Sequence, residues 1–262
     1  MPFTENQGAR IYWAEEGKGA PVLLIMGLGW ASNMWFRTRP LLAAKYRVIS
    51  FDNRGAGRSS VPAGPYSIAA MATDAAAVLD AAGIERAHVI GASMGGMIAQ
   101  EFALQFPNRV ISLTLACTAP GGPEAHHPGP DAMEVLFRTG LTPAERARII
   151  VPFIYDSRTP RERIEEDLAV LSELYPIPEG FVAQLQGILA WEAYSRIGSI
   201  HAPTLVIHGE NDRLVPVGNS DLIAARIAGA RLEKLADAGH IFFTDQPERS
   251  HEILLRFLGE HA

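Results

Sequence analysis

Short apolar runs recur along the chain, at residues 22–26, 47–51, 88–92, 110–117 and 204–208, each closed off by turn-forming or polar residues. Runs this short and this continuously apolar suit strands buried on both faces of a sheet. Between them lie longer segments with helical spacing, at 34–44, 68–82 and 97–106. The alternation predicts right-handed β-α-β crossovers and therefore an α/β fold with a doubly wound, mostly parallel sheet. Residues 9–15 read as an antiparallel strand leading into that sheet, followed by the turn Glu16-Gly17-Lys18-Gly19, and residues 231–235 read as a further strand.

The rhythm fails after Cys117. Residues 119–130 are dense in Gly, Pro and His, and two helix starts of one kind follow, Thr142-Pro143-Ala144-Glu145 and Thr159-Pro160-Arg161-Glu162. In each, threonine is placed to cap, proline takes the first helical position and glutamate completes a capping box. A third helix is expected over 179–194, and the strand pattern resumes at Pro203. The chain thus divides into a sheet-bearing core, residues 1–118 and 202–262, and a helical lid, residues 119–201. The lid is expected over the carboxyl ends of the strands, where open α/β sheets take their ligands. His126 and His127, adjacent in a Pro/Gly linker, point apart with no further ligand at suitable spacing, so no metal is expected.

Composition narrows the partners. With 262 residues and 48% hydrophobic content the chain can bury a full core. Its 23 basic and 29 acidic residues give a net charge of −6 without any basic run, which speaks against nucleic acid and anionic membranes and for a small neutral molecule. Cys117 stands alone in an apolar run and reads as a buried strand residue, so no intrachain disulfide can form. The first residues, Met1-Pro2-Phe3-Thr4-Glu5-Asn6, have neither a basic start nor an apolar run, and 22–26 is too short to span a bilayer. A soluble cytoplasmic protein is expected; oligomeric state leaves no mark in the sequence.

The candidate chemistry begins where the run 88–92 meets the helix that follows. Gly91-Ala92-Ser93-Met94-Gly95 puts a serine at a strand-to-helix turn flanked by small residues. A serine hydroxyl is a weak nucleophile that must be held where a base reaches it, and a strained turn between close-packed backbones does that. The helix after it points free N–H groups at the turn. The base expected is His240, in Ala238-Gly239-His240 after the strand 231–235 and ahead of a C-terminal helix that Asp245 caps and Glu248 supports. His88 and His208 lie within or at the end of apolar runs and read as core histidines, while His201, His251 and His261 read as surface positions. The carboxylate expected is Asp212, on the turn beyond His208-Gly209-Glu210-Asn211; Glu210 sits too close to its strand and Asp237 would have to reach back past its own loop. An oxyanion needs two amides: that of Met94, directly after the serine, and one from Met26-Gly27-Leu28-Gly29-Trp30, for which Leu28 is the choice. These glycines make no phosphate cradle, since neither G-x-G-x-x-G nor G-K-[ST] is present.

Gly91-Ala92-Ser93-Met94-Gly95-Gly96, Asp52-Asn53-Arg54-Gly55-Ala56-Gly57-Arg58-Ser59, Pro203-Thr204-Leu205-Val206-Ile207-His208-Gly209-Glu210-Asn211-Asp212 and Gly239-His240 resemble the blocks of the α/β-hydrolase superfamily. The resemblance spans essentially the whole chain outside the lid, in the order Ser93, Asp212, His240. The capped esterases, enol-lactonases, cofactor-free haloperoxidase-like enzymes and C–C hydrolases are the most similar groups. The resemblance implies the α/β-hydrolase fold, a Ser-His-Asp triad, and no cofactor or metal. Two departures stand out: Met26-Gly27 replaces the usual His-Gly, and Ile241 follows His240 where many C–C hydrolases carry Trp. Ser93 in place of Asp separates the chain from epoxide hydrolases and haloalkane dehalogenases, and the lack of a Gly-Gly-Pro-Gly loop separates it from proline iminopeptidases.

The expectation is a serine hydrolase cleaving carboxylic esters of small to medium apolar substrates through an acyl-enzyme. A lactone, a thioester or a cleavable C–C substrate would suit the same groups, and a ligand receptor signalling through lid movement is the alternative of another class. Trp30, Trp35, Phe137, Trp191, Leu214 and Ile241 are expected to line an apolar pocket.

Overall fold

The computed structural model describes residues 2–261. Among these an eight-stranded sheet comprises β1 (Phe3–Asn6), β2 (Ala9–Glu16), β3 (Pro21–Ile25), β4 (Arg47–Phe51), β5 (Ala87–Ala92), β6 (Val110–Ala116), β7 (Thr204–Gly209) and β8 (Arg231–Leu235), in the spatial order β1-β2-β4-β3-β5-β6-β7-β8. β2 pairs antiparallel with β1 and β4, and β3 to β8 are all parallel. The chain steps from β3 to β4 on one side and then to β5 on the other. The order therefore reverses between β3 and β5, and a crevice opens at the carboxyl ends of those two strands.

The helices are α1 (Arg39–Ala43), α2 (Ile68–Ala81), α3 (Met94–Gln105), α4 (Pro130–Phe137), α5 (Pro143–Ile149), α6 (Val151–Ile154), α7 (Arg161–Glu173), α8 (Pro178–Ala190), α9 (Gly218–Arg226), α10 (Phe242–Asp245) and α11 (Pro247–Gly259). The period-two alternation of β3 shows how the layers form. Leu23 and Ile25 pack on one face with Ile98 and Phe102 of α3, while Val22 and Leu24 pack on the other with Leu42 of α1 and Phe257 of α11. Between β6 and β7, which are neighbours in the sheet, the chain leaves it and makes α4 to α8. No helix among the described residues is long and apolar enough to cross a membrane.

Several local expectations yield to longer-range forces. The helix expected over 34–44 is instead a 3₁₀ turn (Ser32–Trp35) followed by α1, because in an unbroken helix the Pro40 ring would strike the carbonyl four residues earlier. Thr142 forms the full capping box with Glu145. Thr159 does not: its hydroxyl donates to Asp245 Oδ1 at 2.6 Å, and α7 starts at Arg161 without a side-chain cap. Asp245 caps no helix, since α11 begins after Gln246 and the Asp245 carboxylate turns inward. His251 is buried, with Nε2 3.1 Å from Thr38 Oγ1, because the apolar face of α11 carries it into the core. The helix expected over 179–194 is α8, ending at Ala190. The sequence pattern does not mark β1, α4, α6, α9 or α10; each is short, and periodicity is weak over so few residues.

Candidate active site

Ser93 joins β5 to α3 with φ 57° and ψ −121°, a conformation that costs a non-glycine residue about 1–3 kcal/mol. Its amide donates to the Ala116 carbonyl at 2.9 Å, and its carbonyl accepts from Thr118 Oγ1 at 2.7 Å and from the Gly96 amide at 2.8 Å. The flanking glycines are required by space: a Cβ on Gly91 would strike the Gly95 carbonyl, and one on Gly95 would strike that of Ile25. Among residues 91–100, Ser93 alone is half-buried and the others are buried.

The loop after β3 rides directly on this serine. A Cβ on Gly27 would lie 3.1 Å from Ser93 Cβ and 3.6 Å from its Oγ. Three side chains distant in sequence hold the loop. Asn53 Nδ2 donates to the Met26 carbonyl at 2.8 Å; Gln184 Oε1 accepts from the Gly29 amide at 2.7 Å, and Gln184 Nε2 donates to the Arg54 carbonyl at 2.7 Å. Asp52 completes the support, accepting from the Ser32 amide and hydroxyl at 2.7 and 2.6 Å and from Arg58 Nε at 2.7 Å. The block Asp52 to Ser59, met in the sequence only as a family signature, is thus scaffolding for the loop, and Asn53 supplies an anchor where the usual histidine is replaced by Met26. The amides of Leu28 and Met94 donate to no protein acceptor among the described residues.

Asp212 and His240 come together from the loops after β7 and β8. His240 Nδ1 lies 2.7 Å from Asp212 Oδ2. His208 Nε2 lies 3.0 Å from the same oxygen and 2.8 Å from the Val215 carbonyl. Because that carbonyl accepts only, Nε2 of His208 carries the proton and donates to both. Asp212 Oδ1 accepts from the Leu214 and Val215 amides, each at 2.8 Å. Burial pushes the Asp212 carboxyl up, but the imidazoles of His240 and His208 outweigh it and hold the group down at about 2. His208 is therefore buried as expected, yet what it touches is this carboxylate. Its position four residues before Asp212 was the available signal.

Both loops are fastened to each other and to the α4–α8 segment. The Asn211 amide donates to the Ala238 carbonyl at 2.8 Å, and the Ile241 amide to the Ile154 carbonyl at 2.8 Å. Asp245 Oδ2 accepts from the Gly239 amide at 2.7 Å. Glu210 and Asp237 are exposed, and Asp237 pairs with Arg158.

A cavity with two arms opens above Ser93, which borders both together with Leu28, Leu136 and Leu214. The small arm, about 100 Å³, is bordered by Trp30, His240 and Ile241 and by Ile150, Ile154 and Leu171 of the α4–α8 segment. The large arm, about 380 Å³, is bordered by Met94, Met97, Met133, Phe137, Leu189 and Trp191. Trp191 is fixed there by its Nε1, which donates to Glu101 Oε2 at 2.9 Å. Of the six pocket residues expected from sequence, Trp35 is a correction. It borders neither arm and is buried against Phe243, with ring centroids 5.7 Å apart, because the 3₁₀ turn carries it inward onto the face of the sheet beside Ile90, Ala116 and Ile207.

The sequence matches the family described as alpha/beta hydrolase fold over residues 20–139 and 164–247. This chain belongs to the α/β-hydrolase family. A protein of Azorhizobium caulinodans provisionally named carbamate hydrolase RutD is 36% identical over 265 residues, covering 99% of both chains. A poly(3-hydroxyalkanoate) depolymerase of Ectopseudomonas oleovorans is 33% identical, over 91% of this chain and 84% of its own. Among solved structures, Est816, described as an N-acyl homoserine lactone degrading enzyme, superposes with a TM-score of 0.85 at 33% identity, covering 98% of this chain and 100% of its own. The α/β-hydrolase described here is accordingly a hydrolase enzyme, with relatives named for several bonds.

Proposed function

We propose that this α/β-hydrolase cleaves carboxylic esters of small, largely apolar molecules through an acyl-enzyme on Ser93. The observation that carries the reading is a strained, half-buried serine on the wall of one cavity with a buried histidine that a buried carboxylate holds from behind. With Nδ1 of His240 bound to Asp212, Nε2 is left to take the Ser93 proton as Oγ adds to the ester carbonyl. The amides of Leu28 and Met94 receive the oxyanion, a contribution of about 3 kcal/mol per donor. His240 then protonates the leaving alcohol, and water, deprotonated by the same nitrogen, releases the acid and restores Ser93. The α4–α8 segment serves as the lid that meets the outer parts of the substrate.

A lactone is an internal ester open to the same steps, and the lactone-degrading description of the Est816 structure favours including it. The test is Ser93→Ala beside the wild-type enzyme, with ester hydrolysis and fluorophosphonate labelling as readouts. The expected outcome is a fall in kcat by about three to six orders of magnitude with folding intact, and loss of the label. Retained activity or label in the variant would move the nucleophile elsewhere, and a single stoichiometric acylation of wild type without turnover would favour a receptor.

A further inference from the structure

The two arms of the cavity differ in size, in the exposure of their lining and in which groups face them. Resting on the Ser93 reading, we infer that the small arm takes the leaving alcohol and the large arm the acyl group. The substrate class is then an ester of a medium to long apolar acid with a shorter alcohol. Collapse of the tetrahedral adduct breaks the bond from the acyl carbon to the alcohol oxygen, and that oxygen must receive a proton from His240 Nε2 as it leaves. It must therefore lie within hydrogen-bond reach of His240, which borders the small arm and not the large one. Deacylation imposes the same condition. Water fills the place vacated by the alcohol, gives its proton to Nε2 and adds its oxygen to the acyl carbon, and the proton passes to Ser93 Oγ as the acid departs. Met94, whose amide the oxyanion would meet, borders the large arm alone, with Met97 and Trp191 beyond it.

Size and exposure agree with this division. The small arm, at about 100 Å³, is clearly the smaller beside the large arm at about 380 Å³. None of the described residues around the small arm is exposed, and Ile154 and Leu171 in its lining are buried. The large arm has exposed residues at its rim, among them His126, His127, Phe137 and Leu189. Room and exposed lining are thus on the side assigned to the acyl chain, and an alcohol that lengthens is the part that runs short of space.

Methyl decanoate and nonyl acetate test the division, because they are isomers with the ester bond reversed. Methyl decanoate is expected to show kcat/KM at least about tenfold higher, the order of discrimination that a few methylenes supply in an apolar pocket. Ile150→Ala, which widens the small arm, should raise the rate on butyl decanoate relative to methyl decanoate. Met133→Trp, which fills the large arm, should move the acyl-length optimum to shorter acids without moving the alcohol preference. Equal rates on the two isomers, or preference for nonyl acetate, would overturn the assignment whatever the variants do. If a fluorophosphonate labels Ser93 while neither ester turns over, the substrate class is wrong and the nucleophile stands; if Ser93 also escapes labelling, the Ser93 reading itself falls.

Discussion

The loops at the carboxyl edge of the sheet and the helices between β6 and β7 face each other across one cavity, and they are held in opposite ways. On the sheet edge, the Asp212 carboxylate accepts from two imidazoles and two amides, and Ser93 is wedged between glycines that admit no side chain. On the opposite wall, α4 begins without a side-chain cap and joins the edge through an exposed Arg213–Asp131 pair. The helical segment is not uniform. Its α7 side is pinned by buried Asp167, which accepts from Tyr155 at 2.9 Å, Thr244 at 2.7 Å and Arg37 at 3.0 Å, and this side contributes Leu171 to the lining of the small arm. Reacting atoms need positions fixed to fractions of an ångström, and only interlocked hydrogen bonds and close packing hold them so. On the function proposed above, the outer parts of a substrate vary, and the more loosely tied wall is the part that meets them.

The comparison is most sharply tested at Asp212. Replacement by Asn should lower kcat by up to about 10⁴, because an amide favours the wrong tautomer of His240, while Glu210→Gln should leave rates close to wild type. The opposite ranking would break the assignment of the carboxylate.

The seam between the two regions has its own titration. Burial raises the Asp245 carboxyl from its ordinary 3.8 to about 6, against hydrogen bonds from Thr159, Gly239 and Asp156 that favour the charge. Above 3.8 the unfolded chain has released a proton that the folded protein keeps, so this group's contribution is fully present below pH 3.8 and is lost as pH rises through 6. It amounts to at most about 3 kcal/mol. His88, remote from the site and lowered by burial from 6.5 to about 4, acts in the opposite sense: its contribution is present above 6.5 and is lost as pH falls through 4. Urea melts across this window should therefore show Asp245→Asn, which loses the opposing Asp245 titration and keeps that of His88, weakening on acidification more than wild type. His88→Asn should weaken less. Parallel pH curves for all three proteins would remove Asp245 as a titrating link.

A smaller effect is expected at His208. Loss of one donor to a buried carboxylate, in His208→Phe, should reduce kcat by about ten- to a hundredfold with KM little changed, and His208→Gln, which keeps an N–H, should recover part of it. A rise in KM with kcat unchanged would show that His208 only packs. The smallest effect lies on the open wall. Phe137→Ala, at a residue 44% exposed, should alter stability by no more than about 0.5 kcal/mol and shift acyl-length preference a few-fold, as read from kinetics over an ester series. An unchanged preference would take Phe137 out of the substrate's path.

By itself, the sequence determined the features that rest on local chemistry. Period and run length marked the parallel strands, small residues around Ser93 marked the strained turn, and Thr142 with Glu145 marked a cap that forms as written. The chain order Ser93, Asp212, His240 was legible because each residue follows its own strand. Tertiary structure alone decided which distant partner wins a given polar group. Thr159 abandons its helix for Asp245, Gln184 crosses from α8 to the loop after β3, and His208 turns to Asp212. It also decided that Trp35 goes to the core while Trp30 meets the cavity, since a proline five residues on changes the path of the helix between them and the sheet. Local patterns encode what a segment can form; the energy of a buried hydrogen bond or ring depends on neighbours that only the folded chain supplies.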